Sequence, residues 1–366
     1  MRPFRLALLA SAAVLTAGPA LAQNADPARL NEHTRVLASD AFEGRGVATP
    51  GEEKTIEYLV AQFEALGLEP GGPDGSWTQT AQLSRTQQSG PATIVARTPQ
   101  GEMRLERGPE VLVASDRPVE RITVTDAPVV FAGYGVEAPE RNWDAYGRAT
   151  PVDGDDIYNG AVDNATGVAA LLELARLFRE GAPPERSVVF AAWTAEESGL
   201  LGAEYYAANP VWPLETTVAN INIDSLLPGT EVSPEIVVIG PGKSETDQWL
   251  ERRAEAAGRR LIPDPAPHAG GFYRSDHFPL AKMGVPALFG VAGFTGHNAA
   301  SADYVANRYH KPSDEWTPEW TMDAAAVDVD LLYAVGRDLA DSEAWPEWNA
   351  GAEFEAARQA SAAARE

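Results

Sequence analysis

The sequence has 366 residues, no cysteine, and 29 basic against 53 acidic side chains, for a formal net charge of −24. That balance argues against nucleic acid or an anionic membrane surface as a partner, although most of the charge reads as a solvated exterior. Without thiols there is no disulfide framework, so stability has to come from a buried core, which a chain of this length can supply.

The chain opens MRPFRLALLASAAVLTAGPALAQ, with two arginines ahead of an apolar run that closes on Ala20-Leu21-Ala22. This is the pattern of a cleavable secretory signal over residues 1–22. Its apolar core is short for a membrane span, so no span is expected after cleavage, and the location expected is periplasmic or secreted. Residues 23–69 read as two helices. DPARLNEHTRVLAS is amphipathic, and TPGEEKTIEYLVAQFEALG has a Thr-Pro entry and a terminal glycine. A glycine-containing loop, 38–51, joins them, and His33 reads as surface decoration on the first helix.

From 70 to 141 helical periodicity is lost. Short β-like runs (ATIVART, EVLVAS, RITVTD, PVVFAGYGV) alternate with turn residues and predict a strand-rich appendage without chemistry of its own. Strand-like and helix-like segments then alternate over 142–345. Val168–Phe178 is a helix, SVVFAAW a strand buried on both faces, and Ser198–Ala208 a helix; VANINID and EIVVIG are strands. TDQWLERRAEAAG and SDHFPLAKMG are helices, VPALFGV a strand, and Thr321–Ser342 the long terminal helix. The expectation is an α/β fold, with a mostly parallel or mixed central sheet and helices on both faces. The tail, 346–366, reads as polar and frayed.

Within this alternation Asp163 precedes a helix, Glu196 and Glu197 follow the buried strand, Asp224 ends the next strand, and His310 lies in RYHKPSDEW. Each has an ordinary explanation: a helix cap for Asp163 and Asp224, a first helical turn for the glutamates, a packed loop for the histidine. Their order on successive βα units says more, because open α/β sheets collect their chemistry at strand ends. Carboxylates converging there either repel or hold cations, and zinc is the usual reason to tolerate them. Adjacent glutamates can then divide the work, one on metal and one taking a proton from water.

The runs GAVDNATGVAALLELA, AAWTAEESGLLGAEYYA, NIDSL, FYRSDHF and YHKPSD, in this order, resemble the M28 family of zinc peptidases. The resemblance implies a zinc-exopeptidase-like fold and a two-zinc site. Asp163 would bridge both ions, Asp224 would bind the first, Glu197 and His310 the second, and Glu196 would be the general base. The peptide after Asp163 would be cis, and Ser275-Asp276-His277 is given no ligand role. The substrates implied are peptides or small proteins with a free N-terminus.

One ligand departs from the family pattern. Relatives carry His-x-Asp at the end of an earlier strand, where this chain has Asn142-Trp143-Asp144. FAGYGVEAPERNWD resembles the start of a protease-associated insert, so the chain reads as having lost that insert, a core strand and the first histidine ligand, with Asp144 keeping its place beside the missing imidazole. A carboxamide is a poor zinc ligand. The expectation is one tightly held Zn2+ and one weak or empty site, in an exported aminopeptidase impaired by the loss. The rival readings are a non-catalytic protein on a peptidase scaffold and a glutaminyl-cyclase-like acyltransferase with a single zinc.

Overall fold

The fold is that of a computed structural model, which describes residues 24–84, 93–98, 101–106, 122–125, 137–138, 143–144, 155–290 and 295–365. The chain forms two compact units, Met1–Gly71 with Thr150–Glu366, and Gly72–Ala149.

The larger unit begins with α1 (Pro27–Leu37). Asp26 caps it by accepting from the Ala28 amide at 2.8 Å, and Pro27 supplies a preset first-turn dihedral. Helix α2 (Pro50–Ala65) also has a proline in its first turn, after Thr49, and the chain leaves it through Gly67 at φ +69°. Both helices fall where the sequence puts them. His33 does not lie on the surface as expected: it is 6% exposed, and its Nδ1 is 2.7 Å from the Tyr58 hydroxyl on α2. The two helices close over it, and the hydroxyl satisfies the ring that burial takes from water.

Helix α3 (Gly167–Glu180) buries Ala169, Ala170, Leu172, Leu174, Leu177 and Phe178. It also buries Glu173, whose carboxylate accepts from the Asp26 amide at 2.7 Å, Arg176 at 2.6 Å and Arg29 at 3.2 Å. A charge so placed is tolerated because a backbone amide and two guanidinium groups donate to it. Helix α8 (Asp323–Ala340) runs between two parts of the core. Met322, Ala325, Ala326 and Val329 pack with Leu30, Ala169 and Leu177, while Leu331, Val335 and Leu339 pack with Ile236, Val238 and Leu250. That double burial is why the segment is apolar over so much of its circumference.

The strands of this unit are short and parallel. β5 (Asn220–Ile221) pairs with β8 (Ala287–Leu288), and β6 (Glu235–Val238) pairs with β7 (Arg260–Pro263). The Ile239 amide donates to Phe289 at 2.8 Å and links the two pairs. Helices α4 (Leu201–Ala208), α5 (Thr246–Ala256), α6 (His277–Lys282) and α7 (Ala299–Asn307) alternate with them, so the α/β class is as expected. Among the described residues the strands are seen in pairs. SVVFAAW, read as a doubly buried strand, pairs with no strand, and Val189 within it is 53% exposed. An apolar run becomes a central strand only with a neighbour on each side, and here none is among the described residues. Helix α4 starts at Leu201 rather than Ser198, because Ala195 and Leu200 take left-handed dihedrals.

The tail is not frayed. Trp348 and Phe354 are buried against Phe272 and Phe289, and helix α9 (Glu355–Ala360) carries Arg358, which is 1% exposed. Its guanidinium donates to the carbonyls of Thr217, Val218 and Pro346 at 2.9–3.2 Å. Alanine-rich composition hid these three anchors.

The smaller unit contains the antiparallel hairpin of β1 (Thr93–Thr98) and β2 (Gly101–Glu106), in register Thr93↔Glu106 to Thr98↔Gly101. A second antiparallel pair joins β3 (Glu137–Ala138) and β4 (Trp143–Asp144). Thr93–Thr98 of ATIVART is therefore a strand, and residues 122–125 of RITVTD are not. EVLVAS, PVVFAGYGV and Asn142 lie outside the described residues, as does the side chain of Asp144.

Candidate metal centre

Asp163 lies in the turn that enters α3. Its own dihedrals are extended, φ −108° and ψ 91°, and the Asp163–Asn164 peptide bond is cis. Two neighbours fix this turn. The buried Asp314 carboxylate accepts from the amides of Val162 and Asp163, both at 3.0 Å, and from the Tyr304 hydroxyl at 3.1 Å. From the other side Arg45 donates to the carbonyls of Leu37, Asn159 and Gly160 at 2.6–2.9 Å. Asp314 is four residues beyond His310, so these hydrogen bonds tie the histidine loop to the Asp163 turn.

His310 itself sits at φ +56°, a left-handed conformation uncommon for a side chain of its size, with Tyr309 stacked on its ring at 3.8 Å. Its Nε2 lies 3.3 Å from Asp163 Oδ2 and 3.3 Å from Glu197 Oε1. One ligand atom from each of the three falls within 4.8 Å of the others, a set that could hold a metal ion. Two carboxylates and an imidazole are a donor set that suits zinc. Glu197 reaches the histidine from an exposed turn held by Gly199 and Leu200 amides donating to the Glu196 carbonyl at 3.0 and 2.9 Å.

The electrostatics are those of a crowded acidic site. Burial alone would depress His310, but its hydrogen bonds to Asp163 and Glu197 outweigh it and push the imidazole up to about 10. Burial, then the Glu197 charge, raise Asp163 against the pull of His310. Enclosure tends to raise Glu197 too, yet His310 leaves it below its ordinary value. Asp224 is pushed to about 8, first by burial and then by Asp163; Glu196 goes to about 9, by burial and then by Asp224 and Glu197. Without a cation Glu196 and Asp224 retain protons through neutral pH, and a cation bound there would have to displace them.

Of the residues singled out in the sequence, Asp163, Glu197 and His310 come together directly. Asp224 and Glu196 lie close enough for the charges of Asp163 and Glu197 to raise them, and neither belongs to the three-residue set. Asn142 lies outside the described residues. The Ser275-Asp276-His277 run divides: Ser275 Oγ donates to Asp224 Oδ2 at 2.9 Å, whereas His277 turns into the aromatic core, 4.6 Å from Phe272 and 5.0 Å from Phe289 between ring centroids. The sequence reading missed Asp314, Asn164 and Arg45. Asp314 was within reach, since it closes the same YHKPSD run that holds His310; Arg45 gave no local signal.

An α/β body that gathers two carboxylates and an imidazole beside the N-terminus of α3 has the form of a metal-centred protein. More particularly, the chain belongs to peptidase family M28, whose model matches residues 143–334, just over half of its length. It is 43% identical over 76 residues to Aminopeptidase NAALADL1 of Mus musculus, which covers 19% of this chain and 10% of that one. It is 28% identical over 156 residues to Aminopeptidase YwaD of Bacillus subtilis, covering 42% of this chain and 32% of that one. The chain thus spans a third or less of the length of these curated relatives. Among solved structures, the LapA aminopeptidase of Legionella pneumophila superposes with a TM-score of 0.52 at 16% identity, over 87% of this chain and 72% of that one. LapB of the same organism gives 0.53 at 15%, over 87% and 73%. At such identities the likeness concerns the fold alone.

Proposed function

We propose that this chain is an exported zinc-dependent aminopeptidase, acting on peptides or small proteins with a free N-terminus. The observation that carries the reading is His310 Nε2, equidistant at 3.3 Å from Asp163 and Glu197. Asp163, Glu197 and His310 would hold the tight ion, and Asp224 would serve a weaker position. Zinc, when bound, polarises the scissile carbonyl and makes its water more acidic. Glu196 would be the general base, accepting a proton from the attacking water and passing it to the leaving amine, a role that requires its carboxylate form. Asn142, where the resemblance puts histidine, is the reason for assigning one tight ion rather than two. Export rests on the signal-like N-terminus; among the described residues no helix is long and apolar enough to cross a membrane.

The test is metal analysis of exported protein, read with a leucine-anilide assay. The expected result is about one zinc per chain, by the three-ligand rule for catalytic sites, with anilide cleavage lost on chelation and restored by Zn2+. Protein that binds zinc without cleaving any N-terminal anilide or peptide would leave the non-catalytic reading. Exported material that still contained Met1 would remove the signal peptide.

A further inference from the structure

Asn164 follows Asp163, and its carboxamide crosses to the strand end that carries Asp224. Nδ2 donates to the Ile223 carbonyl at 3.2 Å, and Oδ1 accepts from the Ser225 amide at 3.0 Å. Ile223 and Ser225 are the two neighbours of Asp224, so one side chain grips the backbone on both sides of that carboxylate. Oδ1 also accepts from the Gly167 amide at 3.0 Å, which anchors the carboxamide to the first turn of α3. Gly167 leaves room for this: a Cβ there would lie 2.1 Å from Oδ1. The Asp224 carboxylate is steadied separately, with Ser275 Oγ donating to Oδ2 at 2.9 Å and Asn222 Nδ2 donating in turn to Ser275 at 2.8 Å.

We propose that Asn164 is a positioning residue, a brace that fixes the separation of Asp163 and Asp224 and so prepares the cation site. The proposal rests on the metal reading above. Its physical basis is that two half-buried carboxylates close together repel, and a site that must be assembled at each binding event loses affinity to the reorganisation. Asp314 holds the Asp163 turn to the His310 loop, but it makes no hydrogen bond to the Asp224 segment. Asn164 supplies that link next to both carboxylates. Thr166 adds a second staple one step further away, its Oγ1 accepting from the Leu226 amide at 2.9 Å and donating to the Val162 carbonyl at 2.8 Å.

The experiment compares full-length mature protein with Asn164→Ala and with Leu177→Ala, a core lesion at the far end of α3. Zn2+ affinity is read by competition with a chromophoric chelator, and ligand geometry by the visible d–d spectrum of the Co2+-loaded proteins. Asn164→Ala should weaken Zn2+ binding by about tenfold or more, the usual effect of removing a group that orients ligands, and should alter the Co2+ bands. Leu177→Ala should lower Tm yet leave affinity within roughly twofold, as expected of a distant, independent site. If the alanine variant does not fold, Asn164→Ser, too short to bridge both backbone groups, carries the same expectation. Wild-type affinity and spectrum in the Asn164 variants would overturn the brace, and so would an equal loss in Leu177→Ala. A wild-type chain that takes no Zn2+ would overturn the metal reading first, and the brace with it.

Discussion

The Asp314 carboxylate accepts the Asp163 amide hydrogen at 3.0 Å, which makes the loop after α7 the support for the turn before α3. Asp314 is 1% exposed, and burial raises it while the amides of Asp163 and Val162 draw it down. Asp314→Ala leaves two amides and the Tyr304 hydroxyl without their acceptor, a loss of roughly 3 kcal/mol from unsatisfied buried donors. Asp314→Asn keeps one acceptor oxygen and should lose about half as much. Denaturant unfolding measures the first effect, and zinc per chain the second, which should fall in the alanine variant. Wild-type stability in Asp314→Ala would remove the support from the account.

Glu196 and Glu197 are neighbours with opposite surroundings: Glu197 touches His310, while Glu196 faces Asp224 and lies outside the three-residue set. Glu196→Gln should lower kcat by about 10²–10⁴-fold, the range for losing a general base, with zinc content unchanged. Glu197→Gln should lower zinc content, with activity falling in step. A Glu196→Gln protein that loses its metal would reverse the assignment.

The sequence made the family and the α/β class legible because those depend on local patterns: a Thr-Pro helix entry, a glycine exit, acids at strand ends. It also put Asp163, Glu197 and His310 in one site. What it could not carry was pairing. SVVFAAW has the composition of a central strand, yet whether it becomes one depends on neighbours contributed by other parts of the chain. His33 and Arg358 fail for a related reason. A lone polar residue reads as exposed until the element that covers it is in place, α2 in one case and the backbone carbonyls of 217, 218 and 346 in the other.

His277 tests the buried side of the Ser275-Asp276-His277 run. It is fully buried among Phe272 and Phe289, and burial pushes the imidazole down to about 3 against the pull of the Phe272 backbone. A histidine depressed in the fold binds its proton first in the unfolded chain. It therefore subtracts stability as pH falls from its unfolded value near 6.5 towards 3. His277→Phe should raise Tm more at pH 4.5 than at pH 7.5, because phenylalanine has no proton to bind; the pair of pH values is chosen about two units below and one above the ordinary histidine pKa. An equal gain at both would mean that the ring is not held neutral.

The acids at the centre reverse that pH dependence, and metal removal exposes it. Glu196 at about 9 and Asp224 at about 8 are raised above unfolded values near 4, so between those limits the unfolded chain holds fewer protons. Their contribution to stability is complete at low pH and is lost as pH rises through 8 and 9. His310, raised to about 10, acts in the same sense, its contribution present below its unfolded value of 6.5 and lost through 10. Metal-free protein should therefore lose Tm steadily as pH rises above neutral. Zn2+ requires these groups deprotonated, so the Tm gained on adding it should grow over the same interval. Thermal scans of chelated and zinc-loaded protein from pH 6 to pH 9, the span over which these groups titrate, read both. A zinc-induced gain in Tm that shrank with rising pH would show that the carboxyls around Asp163 do not give up protons to the ion.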